Sequence, residues 1–246
     1  MGNTASAKAY ASFVFALILF GSNGIVASAI DLPSFQIVYL RTGIGSFFLV
    51  ALLLLSRKSL ASISHRKDLA FLLASGFALG VGWLFLYEAF QRVGVSLSSL
   101  VYYCGPIIVM ALSPVLLKER LGAVKITCFA IVVTGLLFIN GNGASDSFDV
   151  IGMACAVGSA IMFAIMVICN KKAAAITGLE NSALQLLFSF ITVAVFTVAT
   201  TGTPMVAVPQ NQWLPVIVLG LVNTGLGCYL YFGVFDELPT QTVATL

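Results

Sequence analysis

The chain has 246 residues, of which 60% are hydrophobic and only 9% are charged. Soluble globular domains carry about 25% charged residues, so this composition excludes a soluble protein and predicts an all-α polytopic membrane protein. The formal net charge of +3 does not indicate nucleic-acid binding, because the Lys and Arg residues stand in short clusters between apolar runs.

Eight apolar runs follow one another along the chain. Each has about 20 residues, which is enough to cross a hydrocarbon core of about 30 Å. In chain order they are residues 10–30, 33–55, 69–90, 95–117, 121–139, 150–169, 182–200 and 213–235. A ninth apolar segment begins near Leu238 and reaches only to Leu246. The sequence therefore predicts eight complete spans and the start of a ninth.

The first run has a second interpretation. Lys8, the apolar core and the Ala-Ser-Ala sequence at 27–29 are also typical of a cleaved signal peptide. Against this interpretation, the run is long, and its middle holds the sequence Gly-Ser-Asn-Gly at 21–24. Such small residues suit packing against other helices, so we favour a retained span.

The basic residues predict the orientation in the membrane. The opposite loops, residues 140–149 and 200–212, contain no Lys or Arg. By the positive-inside rule, the basic side and the N-terminus lie in the cytoplasm; we expect a bacterial inner (cytoplasmic) membrane. Ten of the twelve basic residues lie on the basic side: Lys8, Arg57, Lys58, Arg66, Lys67, Lys118, Arg120, Lys125, Lys171 and Lys172.

An internal repeat relates two parts of the chain. Shifted by 145 positions, residues 82–101 align without a gap with residues 227–246. Both have a small residue, an aromatic-rich apolar run, a polar break and a second segment rich in small and hydroxylated residues. The first unit, residues 1–141, holds five predicted spans. An odd number forces the second unit, residues 142–246, into the opposite orientation, as in many secondary transporters.

The sequence resembles that of a known family. LYEAFQRVGVSLSSLVYYCGPIIVMALSPVLLKERLG (86–122) is similar to the third-to-fifth-span signature of EamA-type permeases of the drug/metabolite transporter superfamily, with Pro106 and the box LLKERLG (116–122) in the expected places. Residues 19–45 and 223–246 resemble the family's first two spans and the start of its eighth-to-ninth-span signature.

The resemblance implies ten spans in two inverted five-helix repeats, with a central cavity for small metabolites. Eight spans and the start of a ninth are present, and the second proline-to-Glu-Arg-Leu segment is missing. We therefore interpret Leu246 as a cut rather than a natural end.

Charged groups inside the spans are the first functional candidates, because a mid-helix Arg or Asp costs about 2.5–3.5 kcal/mol to insert. Arg41 and Glu88 lie in predicted spans at similar depths from the outer face. Three interpretations stay open: an ion pair between them, snorkelling of each side chain to the interface, and a role of Glu88 in binding solute or a proton.

The other candidates for the cavity wall are polar, aromatic or helix-bending. The two asparagines lie in Gly-rich segments and suit either a cavity or an interhelical hydrogen bond. The aromatic residues suit a stacking wall or plain packing, and the proline is expected to kink the fourth span. These candidates are Asn23, Trp83, Tyr87, Tyr102, Pro106, Asn223 and Tyr229.

Two further patterns concern architecture. Small residues four apart lie on one helix face and predict close helix packing; they are Gly76 and Gly80 in one run, and Gly152, Ala156, Ala160 and Ala164 in another. Asn170 stands beside two lysines, where we expect it to be solvated at the membrane interface.

The missing motifs narrow the function. The sequence has no GxxxxGK[ST] motif for nucleotide hydrolysis and a single histidine, His65, so we expect no catalytic site, metal or cofactor. The leading hypothesis is a secondary permease or exporter of small organic metabolites, amino acids or related compounds among them, working by alternating access. Its expected partners are a small-molecule solute and membrane lipid.

The alternatives are a non-functional truncated permease, a subunit that completes its bundle with another chain and, with less support, an intramembrane enzyme. The sequence also leaves open the assembly of the chain into a homo-oligomer.

Overall fold

All secondary structure assigned to the described residues is helical. The structure is a computed structural model that describes residues 2–56, 61–116, 134, 149–203, 206–238 and 243. The chain is thus a polytopic membrane protein, as predicted, while the predicted fifth span and the residues after Leu238 lie almost wholly outside the described part. Within it, seven stretches are long and apolar enough to span a membrane: Ala7–Ala27, Ser34–Leu55, Arg66–Val93, Val95–Leu112, Val150–Lys172, Gly178–Thr201 and Gln210–Phe232.

The helices begin and end within a few residues of the predicted runs. One π-helical segment, Val218–Leu226, joins the last two helices, and short 3₁₀ turns cover Ala61–Ile63 and Gln210–Gln212. The α-helices are α1 (Gly2–Gly21), α2 (Asn23–Ala27), α3 (Ser34–Leu55), α4 (Arg66–Val93), α5 (Val95–Tyr102), α6 (Cys104–Leu116), α7 (Val150–Lys172), α8 (Gly178–Thr201), α9 (Trp213–Ile217) and α10 (Gly227–Phe232).

Two predicted spans are broken, one at Ser22 and one near Pro106, and only the second was expected to bend. The first breaks at Ser22, between α1 and α2, inside the Gly-Ser-Asn-Gly stretch, and the Ser22 hydroxyl donates to the carbonyl of Leu19 at 2.8 Å. The fourth breaks at Tyr103, between α5 and α6. Pro106 has no N–H to offer the carbonyl of Tyr102, four residues earlier, and its ring crowds that carbonyl. The kink expected from Pro106 is therefore a full interruption of the span.

Hydrogen bonds between loops define one end of the bundle. The N–H groups of Ala61 and Ser62 both donate to the Glu180 carboxylate at 2.9 Å. The N–H of Ala175 donates to Asp68 at 2.8 Å. The loop between α3 and α4 therefore lies beside the loop between α7 and α8, so two of the predicted basic loops share this end.

The opposite end is defined in the same way. The N–H of Asp31 donates to the side chain of Gln212 at 3.0 Å, and the N–H of Ser34 donates to that of Gln91 at 3.1 Å. The connections before α3, after α4 and before α9 therefore lie together, and the loops alternate between the two ends as the span order predicts.

Helix α4 lies in the middle of the fold and packs against α3, α7 and α8. A Cβ added at Gly76 would come within 2.5 Å of the Phe188 Cβ, and one added at Gly80 within 2.8 Å of the Ser189 carbonyl oxygen. Both glycines therefore allow α8 to approach the backbone of α4. The small-residue ladder of α7 is likewise buried: Gly152, Ala156, Ala160 and Ala164. Both ladders confirm the predicted close packing.

The two predicted units pack into each other rather than side by side. Helices α3 and α4, from residues 1–141, contact α7, α8 and the π-helical segment, all from residues 142–246. Helix α1 packs against α10, where the rings of Phe13 and Tyr231 stack with centroids 4.9 Å apart. Any polar group buried where α3 and α4 meet the later helices is therefore shared between the units.

We predict that Gly76→Ala lowers the stability of the protein by about 1–3 kcal/mol, the usual effect of overpacking. The new methyl group would overlap the Phe188 Cβ and lie 2.9 Å from the Gln185 carbonyl oxygen, and neither atom can rotate away. Thermal unfolding in detergent measures the effect. The matched control is Gly21→Ala, whose added Cβ meets no heavy atom within 4 Å; equal melting temperatures for the two variants would contradict the tight contact.

Candidate functional site

Arg41 is buried between three helical segments. It lies seven residues into α3, roughly 10 Å along the helix from its first residue, and its exposed fraction is 1%. Its Nε donates a hydrogen bond to the Thr224 hydroxyl at 2.8 Å. Its Nη1 donates to the Tyr87 hydroxyl. The guanidinium group thus joins α3, α4 and the π-helical segment, and it draws on both predicted units.

Two aromatic rings cover the charge. The Arg41 Cζ lies 4.4 Å from the centroid of the Trp83 ring and 5.0 Å from that of Tyr87. Because residues four apart share one helix face, α4 presents both rings to α3. The negative face of an aromatic ring attracts a cation, by about 2 kcal/mol or more when the pair is desolvated. This face of α4 therefore stabilises a charge that lipid would not.

The π-helical segment orients the third partner. The Thr224 hydroxyl donates to the carbonyl of Leu219, five residues earlier, at 2.7 Å. A hydroxyl has a single proton, so towards Arg41 it acts as the acceptor. The segment also lies close to α3, since a Cβ added at Gly220 would come within 2.7 Å of the Ile44 Cβ. π-Helical turns are frequent at functional sites, and this one supplies a residue to the buried cation.

The charge of Arg41 has no anionic partner in the described part of the chain. Its Nη2 is buried and makes no hydrogen bond there. The salt bridges of the described residues join Arg92 to Glu88 and to Asp149 instead. The charge of a buried cation is not neutralised when its only partners are neutral oxygens and aromatic rings. A binding site for an anionic group requires such an uncompensated positive charge.

Glu88 belongs to a different network, at the end of the bundle that the Asp31 and Ser34 contacts define. It receives hydrogen bonds from the Ser34 hydroxyl at 2.5 Å and from the Arg92 Nε at 2.7 Å. The ion pair with Arg41 considered in the sequence analysis is therefore not formed. Successive residues of an α-helix point about 100° apart, so Tyr87 faces Arg41 and the neighbouring Glu88 does not.

A groove of about 810 Å³ runs between α3, α4, α7 and α8, and Ser34 and Glu88 contribute to its wall. The rest of the wall is almost entirely apolar, with Phe77 and Val195 exposed on the outside of the bundle. Arg41 does not line it. The groove is open to the outside of the bundle, whereas Arg41 is buried apart from it.

Tyr102 lies next to the Arg41 site. Tyr102 packs edge-on against Phe163, with centroids 5.3 Å apart. It lines, with Trp83, a small cavity of about 10 Å³, near the lower limit for one water molecule. Pro106 is buried in α6.

The remaining candidates lie elsewhere. Asn223 is buried and donates to the Leu19 carbonyl and the Ser22 hydroxyl, both at 2.8 Å, which ties the π-helical segment to α1. Asn23 has a buried side-chain oxygen without a partner among the described residues. Tyr229 is 40% exposed.

A buried amide cluster was missed. Asn170 is 3% exposed, exchanges two hydrogen bonds of 3.0 Å with Asn181 and donates to Gln185 at 3.2 Å. The expectation that Asn170 is solvated at the interface was therefore wrong, because the turn between α7 and α8 folds the polar face of α8 over it. The spacing of Asn181 and Gln185, four residues apart on one helix face, was the available signal. Thr224 was missed too, since a lone threonine in an apolar run gives no signal.

Comparison with known proteins decides the family. The sequence profile of the EamA-like transporter family matches residues 7–141 and 150–246. The chain belongs to the EamA-like transporter family. It is therefore a membrane transporter rather than a member of an enzyme family, as the resemblance had implied.

Individual relatives agree with the family assignment. "Uncharacterized transporter YxxF" of Bacillus subtilis is 25% identical over 242 residues, covering 95% of this chain and 75% of the relative. "Uncharacterized transporter YoaV" of the same organism is 24% identical over 215 residues, covering 86% and 73%. One solved crystal structure superposes with a TM-score of 0.79 at 18% identity, over 97% of this chain and 83% of the other. At 18% identity, this structural similarity supports only the fold of this EamA-like transporter.

We predict a pH-dependent role for Asp149, which lies just outside the spans and caps α7. Its carboxylate accepts from the N–H groups of Ile151 at 2.9 Å and Gly152 at 3.0 Å. The Gly152 N–H, followed by Arg92 and the Ile151 N–H, holds the pKa of Asp149 below its ordinary value of 3.8, against a smaller effect of desolvation. The ionised cap therefore stabilises the protein fully above pH 3.8, and its contribution is lost as the pH falls through the lowered pKa.

We expect Asp149→Ala to lower the melting temperature in detergent at pH 7, and the difference from the unsubstituted protein to shrink towards pH 3. Asp149→Asn keeps an oxygen that can cap the helix but cannot ionise, so it should lose less stability at pH 7. A difference that stays the same from pH 7 to pH 3 would contradict a role for the charge.

Proposed function

We propose that this chain is a secondary permease that carries small organic metabolites across the bacterial inner membrane, with amino acids and related compounds as the first class to test. The observation that carries the proposal is the buried site at Arg41. A transporter of this family needs a polar binding site inside its spans. Arg41, with its aromatic and hydroxyl partners, provides such a site. Charged residues within the bilayer typically mark substrate pathways.

The proposed architecture is that of ten spans in two inverted five-helix repeats: residues 1–141 form the first repeat, and residues 142–246 contain the sixth to eighth spans and the start of the ninth. The two segments matched by the family profile follow nearly the same division. The turn at 91–94 lies at the end marked by the bond between Ser34 and Gln91. Its proposed equivalent, the turn after α10, lies at the other end, where Lys171 donates to the carbonyls of Phe235 and Leu238. Equivalent turns at opposite ends are what an inverted repeat requires.

In alternating access, the two units would move relative to each other around the site at Arg41, to which both contribute residues. Arg41 and Tyr87 come from the first unit and Thr224 from the second, so a movement of one unit against the other changes the hydrogen bonds of the guanidinium group. Arg41 is 1% exposed, and the proposed cycle would open a path to it from one end at a time. Solute and membrane lipid are the proposed partners.

The proposed orientation places the N-terminus and the basic loops in the cytoplasm. We expect Ser64→Cys, in the loop between α3 and α4, to resist a membrane-impermeant maleimide in intact cells and to react after lysis. Ala207→Cys, in the loop between α8 and α9, should react in both. Both positions are exposed, and the native cysteines are replaced beforehand. The reverse labelling pattern would overturn the orientation.

Counterflow in proteoliposomes tests the function. The purified chain should exchange at least one labelled amino acid from a broad panel faster than empty liposomes do. Tyr87→Phe should slow that exchange about ten-fold, because it leaves a buried charged donor without its acceptor at a cost of about 1–3 kcal/mol. The matched control is Tyr10→Phe, which removes an exposed hydroxyl and should leave the rate unchanged. Exchange no faster than in empty liposomes across the whole panel would overturn the proposal.

A further inference from the structure

We infer that Arg41 recognises a single carboxylate group on the transported solute, and that the solute's ammonium group, where it has one, contributes little. This inference rests on the proposed function and names the solute chemistry of the same site. It starts from the charge balance around a guanidinium group that is 1% exposed and has no anionic partner in the described part of the chain.

The donors of Arg41 are incompletely used. A guanidinium group has five N–H bonds, and the described contacts take one from Nε and one from Nη1. The Nη2 is buried without any acceptor among the described residues. One N–H of Nη1 and both N–H bonds of Nη2 therefore have no acceptor among the described residues, and a guanidinium group can bind a carboxylate through two parallel hydrogen bonds.

The charge of the site favours a singly charged anion. Arg41 supplies one positive charge, and the other basic residues of the described spans stand near the span ends, at Lys8, Arg66, Lys67, Arg92, Lys171 and Lys172. A doubly charged phosphate would leave a net negative charge in a medium of low dielectric constant, where an unpaired charge is costly. A carboxylate neutralises the site and matches the planar fork of the guanidinium group.

No described carboxylate lies at Arg41 to hold an ammonium group. Glu88, the nearest acidic residue along α4, is engaged with Ser34 and Arg92. The rest of the surroundings is aromatic: Trp83 covers the cation, and Tyr102 and Phe163 line the small cavity beside Trp83. The site therefore fits a carboxylate attached to an apolar group, with or without an amine.

The chain carries its own reporter for this site. Of its two tryptophans, Trp83 lies 4.4 Å from the Arg41 Cζ, whereas Trp213 is 44% exposed at the start of α9. In the Trp213→Phe variant all tryptophan fluorescence comes from Trp83. A carboxylate that draws the guanidinium group towards itself changes the charge next to the indole ring, and with it the emission.

The experiment titrates the detergent-solubilised Trp213→Phe protein with leucine, methionine and phenylalanine, each as the free amino acid, the N-acetyl derivative and the amide. We expect a saturable change in Trp83 emission with at least one free amino acid and with its N-acetyl derivative, and none with the matching amide. Adding Arg41→Gln should raise Kd at least about ten-fold, the usual effect of losing a hydrogen bond to a charged group. Arg41→Lys keeps the positive charge but lacks the planar guanidinium group, so this variant should bind with intermediate affinity.

The matched control is Arg66→Gln, which removes an exposed positive charge at the start of α4 and should leave Kd unchanged. Thermal unfolding of each variant checks that it is folded, and Arg41→Lys keeps the test informative if Arg41→Gln is not. Amides that bind as tightly as the free acids, or equal Kd values for Arg41 and its variants, would overturn the inference.

Counterflow separates the two proposals. If amino acids are exchanged but Trp83 does not respond to them, or amides compete as well as N-acetyl derivatives, the carboxylate inference fails and the permease stands. If nothing in the panel is exchanged and nothing changes the emission, both fail.

Discussion

A guanidinium group without a carboxylate partner in the described part of the chain is the constraint around which the described helices are arranged. Arg41 cannot remain charged in contact with lipid, so it is turned into the bundle, where Trp83 and Tyr87 cover it and Thr224 accepts from it. Each contact is modest, and together they leave part of the donor capacity unused. A fully neutralised salt bridge would be a structural element, whereas an under-neutralised cation is suited to exchange partners with a solute.

Close helix packing makes this arrangement possible. Gly76 and Gly80 let α8 approach the backbone of α4, and Gly220 lets the π-helical segment approach α3. Lipid is as apolar as leucine, so helices gain little from burying apolar side chains against each other. Small residues bring backbones together and place Thr224 within hydrogen-bonding distance of Arg41. A bulkier residue at Gly220 would therefore disturb the site without touching it.

Three clusters of polar groups lie apart from one another among the described residues. Arg41 lies between the ends; Glu88, Arg92 and Asp149 lie at one end; and the amides of Asn170, Asn181 and Gln185 lie at the other. The two terminal clusters tie loops and helix ends together, as their short hydrogen bonds to backbone and side chains show. They lie on either side of the central cation.

The sequence by itself determined the membrane environment, the positions of the spans, the weak point at Pro106 and the small-residue faces. These follow from hydropathy, helix period and proline chemistry, which act locally. Only the tertiary structure decided that Arg41 meets Tyr87 and Thr224 rather than Glu88, and that Asn170 is buried. Those contacts depend on how each helix is rotated about its axis. A step of one residue turns a side chain by about 100°, and hydropathy alone does not fix that rotation.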